Sequence, residues 1–423
     1  MTSPENALRA ARLSMGYRSQ SALAEALNQA ARDIGIRISV NARTVRRWES
    51  DEPPWPQPEH ATALETLFGR PISELGFTSS RKSVTDRTTQ PQGSGRPETW
   101  ASRHAGALAV ALPPSVASDF MTATVAYRHM YWSVPSSRLE RLVAEHAALG
   151  WDLLPQLSGS PQSLMARAVA ESSLLAGRLE FFDLQQPDMA KPSLVLAFQA
   201  AGRADDALLG AAALAHMAFA PAFSYSGESK QAEDARDKIR GARTFARRGD
   251  ANAEMEAWLD ATEAEVETRL GDTRRALQLI AHAEGVYAEY DEDDNPSPPW
   301  LDWFSPIRLA GFKGNTLIAA GQGPAARETL LGALEQLPAE AIKQRAVFCA
   351  DLAAAAVLER DPEQACQFLD DALSLLGEHW YATAMDRVKA VRQSLRPWDS
   401  LPQVRALDDQ LYNWHTTIRS LAV

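Results

Sequence analysis

The chain has 423 residues, 45% hydrophobic and 23% charged, with a formal net charge of −11. That is material for two or three domains with a sizeable core, so a wholly disordered chain is excluded. Two cysteines, Cys349 and Cys366, are too few for a disulfide scaffold and suit a reducing cytoplasm. No signal-peptide pattern opens the chain and no apolar run nears the ~20 residues that span a bilayer, so no membrane partner is expected.

The net charge hides an asymmetry. Residues 1–50 carry eight Arg against four acids, a local +4. The segment "NALRAARLSMGY" reads as a first helix ending at Gly16. Ser19 is placed to cap a second, "SQSALAEALNQAARDIG", with Leu23, Ala24 and Leu27 on one face. Then comes "SVNARTVRRWESDEPPWP", Ser39 to Pro56. Asn41 caps this third helix, Val45 and Trp48 point to a core, and Arg43, Arg46 and Arg47 point away. "PEHATALETLFG" and "PISELGF" add two short helices starting at Pro58 and Pro71, a position that suits proline.

Five short helices with a basic third one resemble the helix-turn-helix domain of the XRE (Cro-like) repressor family. "SQSALAEAL" is similar to the opening of that family's second helix, with Gln20 in the place of a phosphate-contacting Gln. "VNARTVRRWES" is similar to its recognition helix, including the Trp48-Glu49 ending. About eleven extra residues, Gln29 to Ser39, replace the family's tight turn. The resemblance implies binding to double-stranded DNA through Gln20, Asn41, Arg43, Thr44, Arg46 and Arg47. Arg43 and Arg46 would read bases, and Arg47 and Gln20 would grip phosphates. The bland reading of the three arginines is a solvated basic face.

Thr78 to Thr99 is rich in Ser, Thr, Pro and Gly and cannot bury enough apolar surface to fold. The expected division is therefore a DNA-binding domain over 1–77, a disordered linker over 78–100 and a helical repeat domain over 101–423. Within that last part a spacing of seven, five and seven recurs. It joins Ala264, Gly271, Ala276 and Ala283, then Gly314, Gly321, Ala326 and Ala333, then Ala353, Arg360, Ala365 and Ala372. A weaker copy is Ala220, Gly227, Ala232 and Ile239. Small residues let antiparallel helices approach closely, and the middle position is the turn. Each copy predicts a helix pair that must stack on neighbours, giving an all-α solenoid. The pattern resembles the tetratricopeptide repeat, with Pro338 as a closing proline, although the turns lie 44, 50 and 39 residues apart. Regulators that join an XRE-like domain to TPR-like repeats are familiar in actinobacteria, and the chain resembles them along most of its length.

In such repeats the first helix of each pair lines a groove. The positions that resemblance selects are Asn315, Trp258, Arg308 and Arg269, a set suited to a short peptide or an acidic small molecule. Helix packing and surface charge are the bland alternatives. The acidic loop "EYDEDDNPSPP" lacks the glycine and distal Glu of a calcium loop and reads as solvated. "PPWLDWFSP" gathers Trp300, Trp303 and Phe304, expected as core, with a ligand-facing patch as the other reading. No P-loop, nucleophile elbow or metal-ligand spacing occurs, so neither an enzyme nor a cofactor or metal is expected. The sequence thus points to a DNA-binding transcriptional regulator, a homodimer whose repeat body senses a peptide, small molecule or protein effector. The alternative is a TPR-like interaction scaffold with a weak DNA-binding head.

Overall fold

Helices make up every regular element of the structure, a computed structural model describing residues 7–33, 38–50, 53–54, 56–68, 70, 72, 75–77 and 112–421. The fold class is all-α, as expected. The proposed linker lies outside the described residues. The chain forms two compact units, residues 1–122 with 151–165, and residues 123–150 with 166–423. The first unit therefore takes in short stretches beyond the composition boundary. No described helix is long and apolar enough to cross a membrane.

The first unit holds α1 (Ala7–Ser14), α2 (Gln20–Asp33), α3 (Ala42–Trp48) and α4 (Pro58–Phe68). Gly16, at φ +84°, ends α1 as the sequence predicts. Ser19 caps α2, its Oγ accepting from the Ala22 N–H at 3.0 Å. Leu23, Ala24 and Leu27 are buried together with Val45 and Trp48. "PISELGF" is not a helix where it is described: the Leu75 and Phe77 N–H groups both donate to the Ile72 carbonyl, at 3.1 and 3.3 Å, forming a turn. Glu65 of α4 anchors that turn, accepting from the Ile72 N–H at 3.0 Å, and it also accepts from the Ser160 hydroxyl at 2.8 Å.

α5 (Ser115–Met130), α6 (Ser136–Leu153) and α7 (Gly159–Arg178) follow. The second unit continues with α8 (Pro187–Ala204), α9 (Ala207–Met217), the short α10 (Phe219–Phe223) and α11 (Ser229–Arg248). Then come α12 (Ala253–Leu270), α13 (Thr273–Ala288), α14 (Pro306–Ala319), α15 (Gly323–Gln336), α16 (Ile342–Leu358), α17 (Pro362–Glu378), α18 (Ala382–Ser394) and α19 (Pro402–Leu421).

The three strong repeats are the pairs α12–α13, α14–α15 and α16–α17. Ala264, Ala276, Ala283, Ala326, Ala353, Ala365 and Ala372 are fully buried where the helices meet. Their turns sit at Gly271, Gly321 and Arg360, with φ of +88°, +74° and +61°. The weak copy does not form such a pair. Ala220 lies in the five-residue α10, which contains Pro221 and ends before the Gly227 turn. α11 packs on α9, where Phe245 meets the Gly210 backbone, as well as on the short α10, where Ala235 and Ile239 share a cluster with Phe219 and Ala222. Two further hairpins, α8–α9 and α11–α12, turn at Asp205 and Asp250, both at φ 55°. Asp tolerates the left-handed region better than most residues, so these turns carry no glycine signature.

Candidate functional site

The basic surface of the first unit is built on α3. The Asn41 side chain accepts from the Thr44 N–H at 2.9 Å, which satisfies one free donor at the helix start. Trp48, 2% exposed, fixes the inner face with edge-on contacts to His60 and Phe77 at 5.4 and 6.2 Å. With that side held, Arg43, Arg46 and Arg47 are exposed on the other, as the sequence predicts. Burial, aided by the nearby Arg47 charge, pulls the His60 imidazole down to about 4, so it stays neutral under Trp48.

Beneath this surface is an ion pair that the sequence reading did not single out. Arg12 grips Glu49 with two nitrogens, at 2.6 and 3.3 Å, and its third reaches the Tyr17 carbonyl at 2.8 Å. Both side chains are nearly buried, at 7% and 5% exposure. Losing one partner from such a pair costs about 3–5 kcal/mol, because the other charge stays buried. Glu49 also accepts from Gln20 Nε2 at 2.8 Å, while Gln20 Oε1 lies 3.4 Å from Arg46 Nε. Gln20, assigned to a phosphate by resemblance, is thus held between Glu49 and Arg46. Asn28 closes the described end of the extra segment: its amide accepts from the Val40 N–H at 2.8 Å and donates to the Val40 carbonyl at 2.9 Å.

The second unit encloses a cavity of about 90 Å³. The walls come from seven helices and four connecting segments, and aromatic rings dominate. His216 stacks on Trp258 at 5.5 Å, and Trp303 meets both edge-on at 5.9 and 6.3 Å. Phe219 and Phe223 extend this wall to the rim, where Phe223 is 36% exposed. His216 Nδ1 lies 2.8 Å from the Ala212 carbonyl, which can only accept, so the ring proton is on Nδ1. Burial, reinforced by the Arg178 charge, lowers the imidazole to about 3 and keeps it neutral.

Four charged residues face this apolar space: Arg178, Glu265, Arg308 and Arg387. Arg387 is bonded to buried Asp351. Glu265 is committed twice, to Arg269 at 3.1 Å and to Asn315 at 2.6 Å. Burial pushes the Glu265 carboxyl upward, but the Arg269 and Arg387 charges and these two bonds outweigh it and hold it low. Arg178 is different. Its Cζ lies over the rings of Trp303 and Tyr131, 4.2 and 5.1 Å from their centroids, it is 8% exposed, and it has no carboxylate partner among the described residues.

Arg178 ends α7, and directly after it Leu179–Asp183 forms a π-helical turn. The Leu184 N–H reaches back five residues to the Leu179 carbonyl at 3.0 Å. Such turns insert one residue into an α-helix and recur at functional sites. This one turns Phe182 to the cavity and Asp183 to a fully buried cluster. There Asp183 accepts from Lys343 Nζ at 3.0 Å, Tyr131 at 3.1 Å and Ser136 at 3.2 Å.

Of the residues that the groove expectation named, Trp258 and Arg308 line the cavity. Arg269 and Asn315 stand behind Glu265 and orient it. Trp300 is core, at 1% exposure, while Trp303 and Phe304 are cavity wall. The acidic loop is an exposed connection from Asp291 to Pro296. Cys349 and Cys366 are buried free thiols. Arg178, Phe182 and His216 were missed because they lie outside the recurring spacing. Compared with known proteins, the chain matches no family model and no curated sequence.

Proposed function

We propose that the protein is a DNA-binding transcriptional regulator of XRE-like type whose TPR-like body senses an effector and holds a homodimer. The observation that supports this best is the capped helix α3, anchored on one side by Trp48 and presenting three exposed arginines on the other. A helix so mounted fits a major groove, where Arg can hold guanine through two bonds and phosphates supply most of the affinity. The cavity of the second unit supports the sensing part. Effector and DNA would then be linked reciprocally, each changing the affinity for the other by the same factor.

The test is recovery of genomic fragments on the full chain, sequencing, and titration of the enriched site. Arg43→Ala should weaken that site by about 1–3 kcal/mol and relax its sequence preference, while Arg47→Ala should weaken all sequences alike. Unchanged affinity in both Arg43→Ala and Arg46→Ala sinks the reading. One observation favours an interaction scaffold with a weak DNA-binding head: Gln20 is already occupied by Glu49 and Arg46. That reading requires DNA binding to disappear at modest salt with no sequence enriched.

A further inference from the structure

The cavity of the second unit holds charges that its own residues do not neutralise. Asp183 is paired with Lys343, Asp351 with Arg387, and Glu265 with Arg269. Arg178 and Arg308 remain, and neither has a carboxylate within ion-pair distance among the described residues. The Arg178 guanidinium offers five N–H donors in one plane, and its Cζ lies over the rings of Trp303 and Tyr131. None of these donors meets a protein acceptor among the described residues. Arg308 is half-buried and its charge acts on the Tyr381 hydroxyl. Arg178 lies over the Tyr131 ring at 5.1 Å, Tyr131 and both arginines line the cavity, and both guanidinium charges act on the buried Tyr131 hydroxyl.

Two more polar atoms in the wall are buried without a partner among the described residues, the Thr262 hydroxyl and the Trp303 indole N–H. Buried polar atoms in native proteins are rarely left so, and each calls for a partner such as a bound water, ion or ligand group. The remaining wall is aromatic. The space, about 90 Å³, is smaller than the roughly 150 Å³ known to admit benzene, so a bound molecule must project past the rim at Phe223.

We infer that this cavity binds a carboxylate carried on a single flat apolar group, with the anionic head between Arg178 and Arg308 and the ring against Trp258, Trp303 and Phe219. Planar guanidinium groups match a carboxylate through paired bonds, and a desolvated site strengthens them. Glu265, the one carboxylate facing the cavity, has its charge engaged by Arg269 and so does not oppose the anion. The shared chemistry has two sources, a free aryl acid or the C-terminal residue of a peptide. The inference rests on the sensing role proposed above and names the ligand class for it.

The experiment is calorimetric titration of the full chain, without DNA, using four probes: phenylacetate, phenylacetamide, N-acetylphenylalanine and N-acetylphenylalaninamide. Each acid should bind at least about tenfold tighter than its amide, the factor expected for a bond to a charged group. A preference for phenylacetate identifies a free acid as the source, and a preference for N-acetylphenylalanine a peptide terminus. Arg308→Gln should remove that preference while the amides bind as before, and Arg178→Gln should do the same. Because Arg178 is packed, the half-buried Arg308→Gln is the decisive variant, with its melting temperature as the folding control. Acids and amides binding alike, no heat from any probe, or unchanged acid binding by Arg308→Gln would each overturn the inference. Failure here with operator binding intact leaves the regulator reading standing. Acid binding with no effect on DNA affinity leaves this inference standing and removes the sensing role.

Discussion

Glu180 sits in the π-helical turn at 1% exposure. One carboxyl oxygen accepts from the Ser193 hydroxyl at 3.0 Å. Burial pushes this acid up to about 7. Between the ordinary carboxylate range and pH 7 the folded chain therefore keeps a proton that the unfolded chain has released. Stability must fall as pH rises through that window, by about 1–3 kcal/mol from this group. Glu180→Gln should flatten that part of the profile, and denaturant unfolding at pH 5 and pH 8 for both proteins measures it. An equal slope in both would assign the dependence elsewhere. Single residues also show what a sequence makes legible. Trp258 and Arg308 each precede the small residue of their repeat by six positions, and Val347, at the same register in the third pair, lines the cavity too. Periodicity could find these three. Arg178 and Phe182 enter from a helix outside the repeat through an irregular turn, and no spacing rule reports that.

At the scale of the element, three helix pairs share one turn but not one residue in it. Arg360 adopts φ +61° where the equivalent pairs have glycine at +88° and +74°. A side chain in that conformation costs about 1–2 kcal/mol, partly offset because glycine gains more freedom on unfolding. Arg360 is exposed, so Arg360→Gly should raise stability by about 0.5–1 kcal/mol, read from the denaturant midpoint. Gly314→Ala tests the opposite constraint. The neighbouring pairs carry Ala264 and Ala353 at that register, yet here an added Cβ would lie 2.5 Å from Leu330 Cδ2 and 2.6 Å from its Cγ. A loss of about 1–3 kcal/mol is expected, against near neutrality if only the small size of the residue mattered. The α3 cap and its exposed arginines were readable because capping and amphipathic spacing are local. The Arg12–Glu49 pair was not, since its members lie 37 positions apart.

For the whole molecule, the charge is divided along the chain. With +4 on residues 1–50 and −11 overall, the remainder carries −15. A nucleic acid would be drawn to one end and repelled by the rest, so operator affinity should fall steeply with salt. If the body holds two heads together, light scattering of the full chain at micromolar concentration should give about twice the 46.2 kDa protomer. A monomer under those conditions would remove the paired half-site arrangement. The π-helical turn at Leu179–Asp183 bears on a different property, the tolerance of the chain to changes in its length. Deleting one residue there would leave an intact α-helix, but each residue of a helix advances about 100° around its axis. Phe182 would leave the cavity wall and Asp183 would leave Lys343, although no contact had been mutated directly. Drift by substitution would be open to descendants of this sequence, whereas a frame one codon shorter at this turn would not keep the cavity.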